Sequence, residues 1–215
     1  MIAGMGDFIQ IVITTYAALF PICNPLGNAP IFLSITDGEK RSTRAAQALK
    51  GSLYVFLILA GFLLAGTFIL SFFGISLSGV RIAGGFVVAT VGMNLLRSAH
   101  HQTQQPDEKS EAEDKPDISF TPLALPLIAG PGSIAVVMTR STETPHLLSM
   151  TTLAALAGIF LISLTCWIVL READKVLSVL GVNGANALTK IMAFLLLCIG
   201  VQLIIDGVRP VLGLH

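Results

Sequence analysis

Two stretches of this chain combine prolines, glycines and small polar side chains in a pattern that can leave peptide groups free to hold a solute. The first reads Phe20-Pro21-Ile22-Cys23-Asn24-Pro25-Leu26-Gly27-Asn28-Ala29-Pro30 and the second Leu125-Pro126-Leu127-Ile128-Ala129-Gly130-Pro131-Gly132-Ser133. Proline lacks an N–H and its ring clashes with the carbonyl four residues back, so neither stretch can continue as an unbroken helix. A helix restarting after such a break carries free N–H groups and about half a positive charge at its first turn. Pro25 and Pro131 suit a first helical position, with Asn24 or Gly130 as the cap. Two such ends meeting inside a protein suit a carboxylate. The candidate solute-binding set is therefore Asn24, Pro25, Gly27, Asn28, Gly130, Pro131, Gly132 and Ser133. The alternative is that the prolines only kink packed helices. A break at the same place in both halves of the chain favours a site.

The elements that must position these residues are membrane spans. The chain has 215 residues, 53% hydrophobic and 12% charged, with a mean hydropathy of +0.80. That is too little charge to cover a water-soluble globule, so a lipid bilayer is the natural solvent. Residues 8–35, 51–73, 77–96, 120–139, 147–170 and 191–208 are each long and apolar enough to be read as a transmembrane helix. In hydrocarbon an unpaired peptide group costs several kcal/mol, so the breaks in spans 1 and 4 must lie inside the protein. Of the 13 Lys and Arg residues, ten fall in loops 1, 3 and 5, which places those loops in the cytoplasm and both termini on the periplasmic side. Re-entrant hairpins at spans 1 and 4 give a weaker charge bias. The apolar run behind Met1 is too long for a signal peptide and reads as a first span.

Residues 99–117 are polar and poor in aliphatic side chains, and read as a flexible cytoplasmic linker between residues 1–98 and 118–215. The two flanking segments share features at a nearly constant offset. Beyond the proline pattern, Arg81-Ile82 answers Lys190-Ile191, and Gly92-Met93-Asn94 answers Gly200-Val201-Gln202. Duplication of a unit with three spans forces the copies into opposite orientation. The expected fold is thus an all-α integral membrane protein of six transmembrane helices, two inverted three-helix repeats with helices 1 and 4 broken. Span 5 departs from span 2 by running into a charged extension, Arg171 to Lys175.

Few other polar residues lie within the spans. Asn94 and Gln202 are candidates for secondary solute contacts or for hydrogen bonds between helices. Asp206, three residues before Arg209, reads as a local ion pair in preference to a proton or Na⁺ site. Arg81 and Lys190 are placed to snorkel to the membrane edges. Gly85, Ala89 and Gly92 share one face of span 3, where another backbone can approach closely.

Enzyme chemistry finds no purchase. The four histidines, His100, His101, His146 and His215, lie in loops or at the end of the chain, and Ser133 has no His or Lys in the spans to serve as its base. No catalytic residue, metal site or cofactor is expected. Cys23, Cys166 and Cys198 lie in apolar runs without ligand spacing and read as packing residues. A net charge of +0 gives no footprint for nucleic acid. The expected partners are a small-molecule solute and the lipid bilayer, and a homo-oligomer is compatible with the sequence. A carrier is the first functional reading, and a channel or a structural or regulatory membrane protein the second. A channel would show a charged ring or an open polar face.

The motifs Asn24-Pro25-Leu26-Gly27-Asn28, Phe73-Gly74-Ile75-Ser76, Arg81-Ile82-Ala83-Gly84-Gly85, Pro122-Leu123-Ala124-Leu125-Pro126, Ala129-Gly130-Pro131-Gly132 and Lys190-Ile191-Met192 resemble the MarC/SnatA family of bacterial inner-membrane proteins. The likeness covers nearly the whole chain. Lys190 and Ala193 stand where the family pattern has Arg and Gly. The resemblance implies a six-span inner-membrane protein, and some members look like carriers or exporters of small neutral amino acids. It lends little support to antibiotic efflux. A neutral amino acid fits the broken spans, its carboxylate on helix N-termini and its ammonium on freed carbonyls, Asn24 or Asn28.

Overall fold

The computed structural model describes residues 2–98, 117–142 and 149–213, and every described element is helical. The chain runs α1 (Ile2–Cys23), α2 (Pro25–Ile35), α3 (Arg41–Phe73), α4 (Leu77–Ser98), α5 (Ser119–Ile128), α6 (Pro131–Ser141), α7 (Met150–Arg171) and α8 (Ala173–Val211). Five helices are long and apolar enough to cross a membrane, and α5 with α6, bent by 68° at their junction, makes a sixth span if the pair is taken as one. Most of residues 99–117, including the paired histidines His100 and His101, falls outside the described residues, as do His146 and His215.

Both expected breaks are present. The first is the single residue Asn24 (φ 40, ψ 55), with Pro25 opening α2. The left-handed conformation is one that Asn tolerates better than most side chains. The second is Ala129-Gly130, with Pro131 opening α6. The segment before it differs from the expected helix. Pro122 and Pro126 push Thr121 (φ −128, ψ 124) and Leu125 (φ −126, ψ 128) into extended geometry, as a residue before proline prefers. α5 is consequently a wide coil whose bonds reach five residues back, Leu123 N–H to the Ile118 carbonyl at 3.2 Å and Ala129 N–H to that of Ala124 at 2.8 Å.

Two boundaries move from their expected places. α3 begins at Arg41, ten residues before the apolar run. The charged extension after α7 is the start of α8, which bends at Gly181 (φ 64, ψ 169) and continues as an apolar span from Asn183 to Val211.

The stretches 2–98 and 117–213 interleave. The extensive helix contacts all join an element of residues 2–98 to one of residues 117–213: α4 with α8, α1 with α7, and α3 with α5, α6 and α7. α2 lies against α7 and α8, and α6 against α4. The core follows this mixing, with Leu19, Phe32, Val55 and Leu59 buried against Leu123, Ile128, Ile159 and Ile162.

The longest seam is α4 on α8, and small residues create it. A Cβ on Gly92 would stand 2.7 Å from the Ala193 carbonyl oxygen and 2.8 Å from the Leu197 nitrogen. One on Gly200 would stand 2.6 Å from the Gly85 oxygen and 2.5 Å from the Ala89 nitrogen. Only glycine permits this approach. The expected packing role of Gly85, Ala89 and Gly92 is seen here, with α8 as the partner. The pairs also match: residues 85, 89 and 92 precede 193, 197 and 200 by one common interval.

Among the described residues, ion pairs also cross between the two stretches. Arg44 holds Asp174 at 2.8 Å, Arg41 approaches Glu172 at 3.6 Å, and Lys50 holds Asp117 at 2.8 Å. Lys50 and the Ser119 N–H keep the Asp117 carboxyl low, at about 2. Glu172 is held below its ordinary value, chiefly by Lys175 and then by Arg41 and Arg171. Asp206 accepts from the Gln202 amide, one turn back on α8, at 2.8 Å, and makes no ion pair with Arg209.

Candidate functional site at the two helix breaks

The breaks come together in the interior. Cys23, the last residue of α1, lies with its Sγ 3.9 Å from the Ser133 hydroxyl in the first turn of α6, and both are fully buried. Beside this contact, with Ser133 in its wall, is a cavity of about 290 Å³. Asn24 and Asn28 line it from one break and Gly130, Pro131, Gly132 and Ser133 from the other. Val88, Val91 and Leu95 of α4, Leu196 of α8, and Ile22, Ile31 and Leu127 form apolar walls. This volume is at the lower end for ligand sites, which limits an occupant to a few heavy atoms.

Side chains satisfy part of the broken backbone. The Asn28 Nδ2 donates to the Cys23 carbonyl at 2.9 Å, and the Ser133 hydroxyl donates to the Ile128 carbonyl at 3.1 Å. Each bond reaches five residues back across its break, to the last residue of the preceding element. The two breaks thus use one solution with different side chains.

Their N-termini differ. Asn24 Oδ1 accepts from the Gly27 N–H at 3.2 Å, so α2 is capped. A Cβ on Gly27 would lie within 2.7 Å of that carboxamide's carbon and oxygen, which is why glycine sits there. α6 has no side-chain cap at Gly130. Its first turn N–H groups, on Gly132 and Ser133, precede the first backbone bond of the helix, Ile134 N–H to the Gly130 carbonyl at 3.1 Å. Gly132 also lets α6 lie against α4, since a Cβ there would be 2.9 Å from Val88 Cγ2.

These bonds fix the amide orientations. Asn28 must turn its NH₂ to the Cys23 carbonyl, which leaves Oδ1 as its second polar atom, without a partner among the described residues. Asn24 must turn Oδ1 to the Gly27 N–H, which leaves its NH₂ likewise. The residues are 5% and 6% exposed, so each free group is held in the protein interior at the cavity. Among the described residues no Asp, Glu, Lys, Arg or His lines the cavity. A solute with net charge would find no counter-ion, whereas a neutral or zwitterionic one would find donors and acceptors.

The remaining sequence candidates lie elsewhere. Pro25 and Gly27 shape the start of α2 without lining the cavity, and Asn94 and Gln202 are exposed residues of α4 and α8 outside it. Helical spacing alone does not say which face looks inward. Conversely Val88, Val91, Leu95 and Leu196 contribute walls that sequence reading missed, since apolar residues in an apolar span carry no distinguishing signal. Among the described residues no group of His, Cys, Asp and Glu could hold a metal ion.

The model of the MarC family of integral membrane proteins matches residues 9–212. This chain belongs to the MarC family. Among its relatives is the UPF0056 inner membrane protein MarC of Citrobacter koseri, 35% identical over 97% of this chain and 98% of the relative. The proteins of the same name from Escherichia coli K12 and Shigella flexneri are 33% identical, over 97% of this chain and 98% of each relative. No solved structure matches the chain. Membership, the relatives' names and the apolar helices together make this MarC-family chain a multi-pass inner-membrane protein.

Proposed function

We propose that this MarC-family protein is a secondary carrier of small neutral amino acids, with its solute site in the cavity between the two helix breaks. The observation that carries the reading is the meeting of two independently broken spans, 3.9 Å apart at Cys23 and Ser133, around an uncharged, partly polar cavity of about 290 Å³. A zwitterion's carboxylate meets uncapped N–H groups there, its ammonium meets amide or carbonyl oxygen, and a short alkyl group meets the valine and leucine walls.

Six spans in two inverted repeats suit this reading. The matched approaches at Gly92 and Gly200, and the matched side-chain bonds at Asn28 and Ser133, are what a pseudo-two-fold axis in the membrane plane would produce. Helices that pack chiefly on the opposite repeat can tilt together and open the cavity to one side, then the other. The loops rich in Lys and Arg face the cytoplasm in this scheme, and the termini the periplasm. A cysteine replacing Ser110, which lies outside the described residues, would then resist impermeant thiol reagents in intact cells. Labelling from outside would reverse the orientation.

The test is flux in proteoliposomes. Radiolabelled alanine should enter with saturation and be accelerated by unlabelled alanine inside. Asn24→Ala and Asn28→Ala should each cut that flux at least tenfold with normal amounts of protein in the membrane. Non-saturating conductance, or full flux in both variants, would defeat the proposal.

A further inference from the structure

We propose that the cavity gives a bound solute one direction: the N-terminus of α6 with the Asn24 amide takes a carboxylate, and the amide oxygen of Asn28 takes an ammonium. This rests on the carrier reading above and adds the direction in which a zwitterion lies. Equivalent N-termini would give no preferred direction, but these have diverged. In α2 the Gly27 N–H is spent on Asn24, at 3.2 Å, while α6 keeps its first-turn N–H groups uncapped. An anion therefore gains more at Gly132 and Ser133, where N–H groups and the positive helix end coincide.

The second observation is the pair of asparagines, each more than nine-tenths buried, lining the same cavity with opposite polar atoms free. Asn24 offers only N–H donors, because its oxygen holds the Gly27 N–H. Asn28 offers only an oxygen acceptor, because its NH₂ holds the Cys23 carbonyl. Donors suit a carboxylate and an acceptor suits an ammonium. Among the described lining residues, none of them acidic, the Asn28 oxygen is the carboxamide acceptor left for a cation, while the Ser133 oxygen faces the Cys23 thiol at 3.9 Å. The counterpart of Asn28 at the other break is Ser133, whose hydroxyl is committed to the Ile128 carbonyl at 3.1 Å. The polarity difference is thus a difference between Asn and Ser on a common framework.

That framework supplies the test. Asn28→Ser keeps a hydroxyl able to cap the Cys23 carbonyl, as Ser133 does across the other break, and removes the amide oxygen. Asn28→Asp retains an oxygen acceptor. Purified protein in nanodiscs would be titrated with L-alanine and with L-lactate, which keeps the carboxylate and replaces the ammonium by hydroxyl. Wild type should bind alanine at least tenfold more tightly than lactate. In Asn28→Ser the ratio should fall to within about twofold, with lactate affinity unchanged, and Asn28→Asp should restore the preference. If alanine and lactate weaken equally in Asn28→Ser, or Asn28→Asp also loses the preference, the assigned direction is overturned while the carrier reading stands. If wild type binds neither, the carrier reading fails and the direction falls with it.

Discussion

The α4–α8 seam and the cavity beside it are built by the same two stretches of chain, and they are opposites. At the seam, glycines bring backbones within 3 Å of where a side chain would begin. At the breaks, prolines end the helices, peptide groups lose their partners, and room remains for a solute. Close backbone packing holds the halves together without hydrophobic driving force, which lipid removes. The seam can then carry the cost of an interior that is not filled. Glycine and proline, both poor residues for an ordinary helix, are here separated by purpose.

The largest expected loss is at the seam. Gly200→Ala would place a Cβ 2.5 Å and 2.6 Å from backbone atoms of α4, which cannot swing aside. Overpacking of this kind costs about 1–3 kcal/mol. It should lower the temperature at which detergent-solubilised protein loses its monodisperse peak. Gly61→Ala, on α3 with nothing within 4 Å, should leave that temperature unchanged or raise it.

At the cavity the expected effect falls on function. Asn24→Gly keeps the left-handed turn and removes the cap and the NH₂. Alanine flux should fall severalfold with little change in thermal stability. A parallel loss of stability and flux would make Asn24 a structural residue. Ser133→Ala uncaps the Ile128 carbonyl. Losing such a bond costs about 1 kcal/mol, softened here because the carbonyl is beside the cavity. A drop of a few degrees in the same thermal assay is expected, the smaller the more water the cavity admits.

The smallest effect is at the surface. Asp117 titrates at about 2 against an ordinary 3.8, so the stability it adds is present above about pH 4 and is lost as pH falls from 3.8 towards 2. The pair is half exposed and is worth less than about 1 kcal/mol. Lys50→Ala should flatten that part of a melting-temperature profile against pH. An unchanged profile would assign the acid transition to other carboxylates.

Much of this arrangement can be read from residue types. Proline chemistry is local, so Pro25 and Pro131 opening helices after Asn24 and Gly130 could be located in the sequence, as could the close face of Gly85 and Gly92. The interleaving of the two stretches could not, because hydrophobic helices packed on their own half or on the other half have the same composition. Asn94 and Gln202 are matching polar residues in matching spans, but orientation about a helix axis is decided by tertiary packing, and both lie outside the cavity. The wide coil of α5 depends on two prolines acting together at Thr121 and Leu125, and a single-residue rule predicts only that the helix ends. The polarity of the asparagines emerges only when the partners of each amide, Cys23 and Gly27, are in view.

A site between the breaks requires that they touch inside the protein, and a covalent link between them reads that contact. Cys23 would be paired with Ser133→Cys in a chain whose Cys166 and Cys198 are replaced by alanine, with a protease site placed between residues 99 and 116. The starting separation of 3.9 Å predicts that mild oxidant in native membranes will join the two fragments through a reducible bond, and that saturating alanine will slow the reaction. Fragments that separate fully after oxidation would mean that the breaks do not meet, and the site as described would not exist.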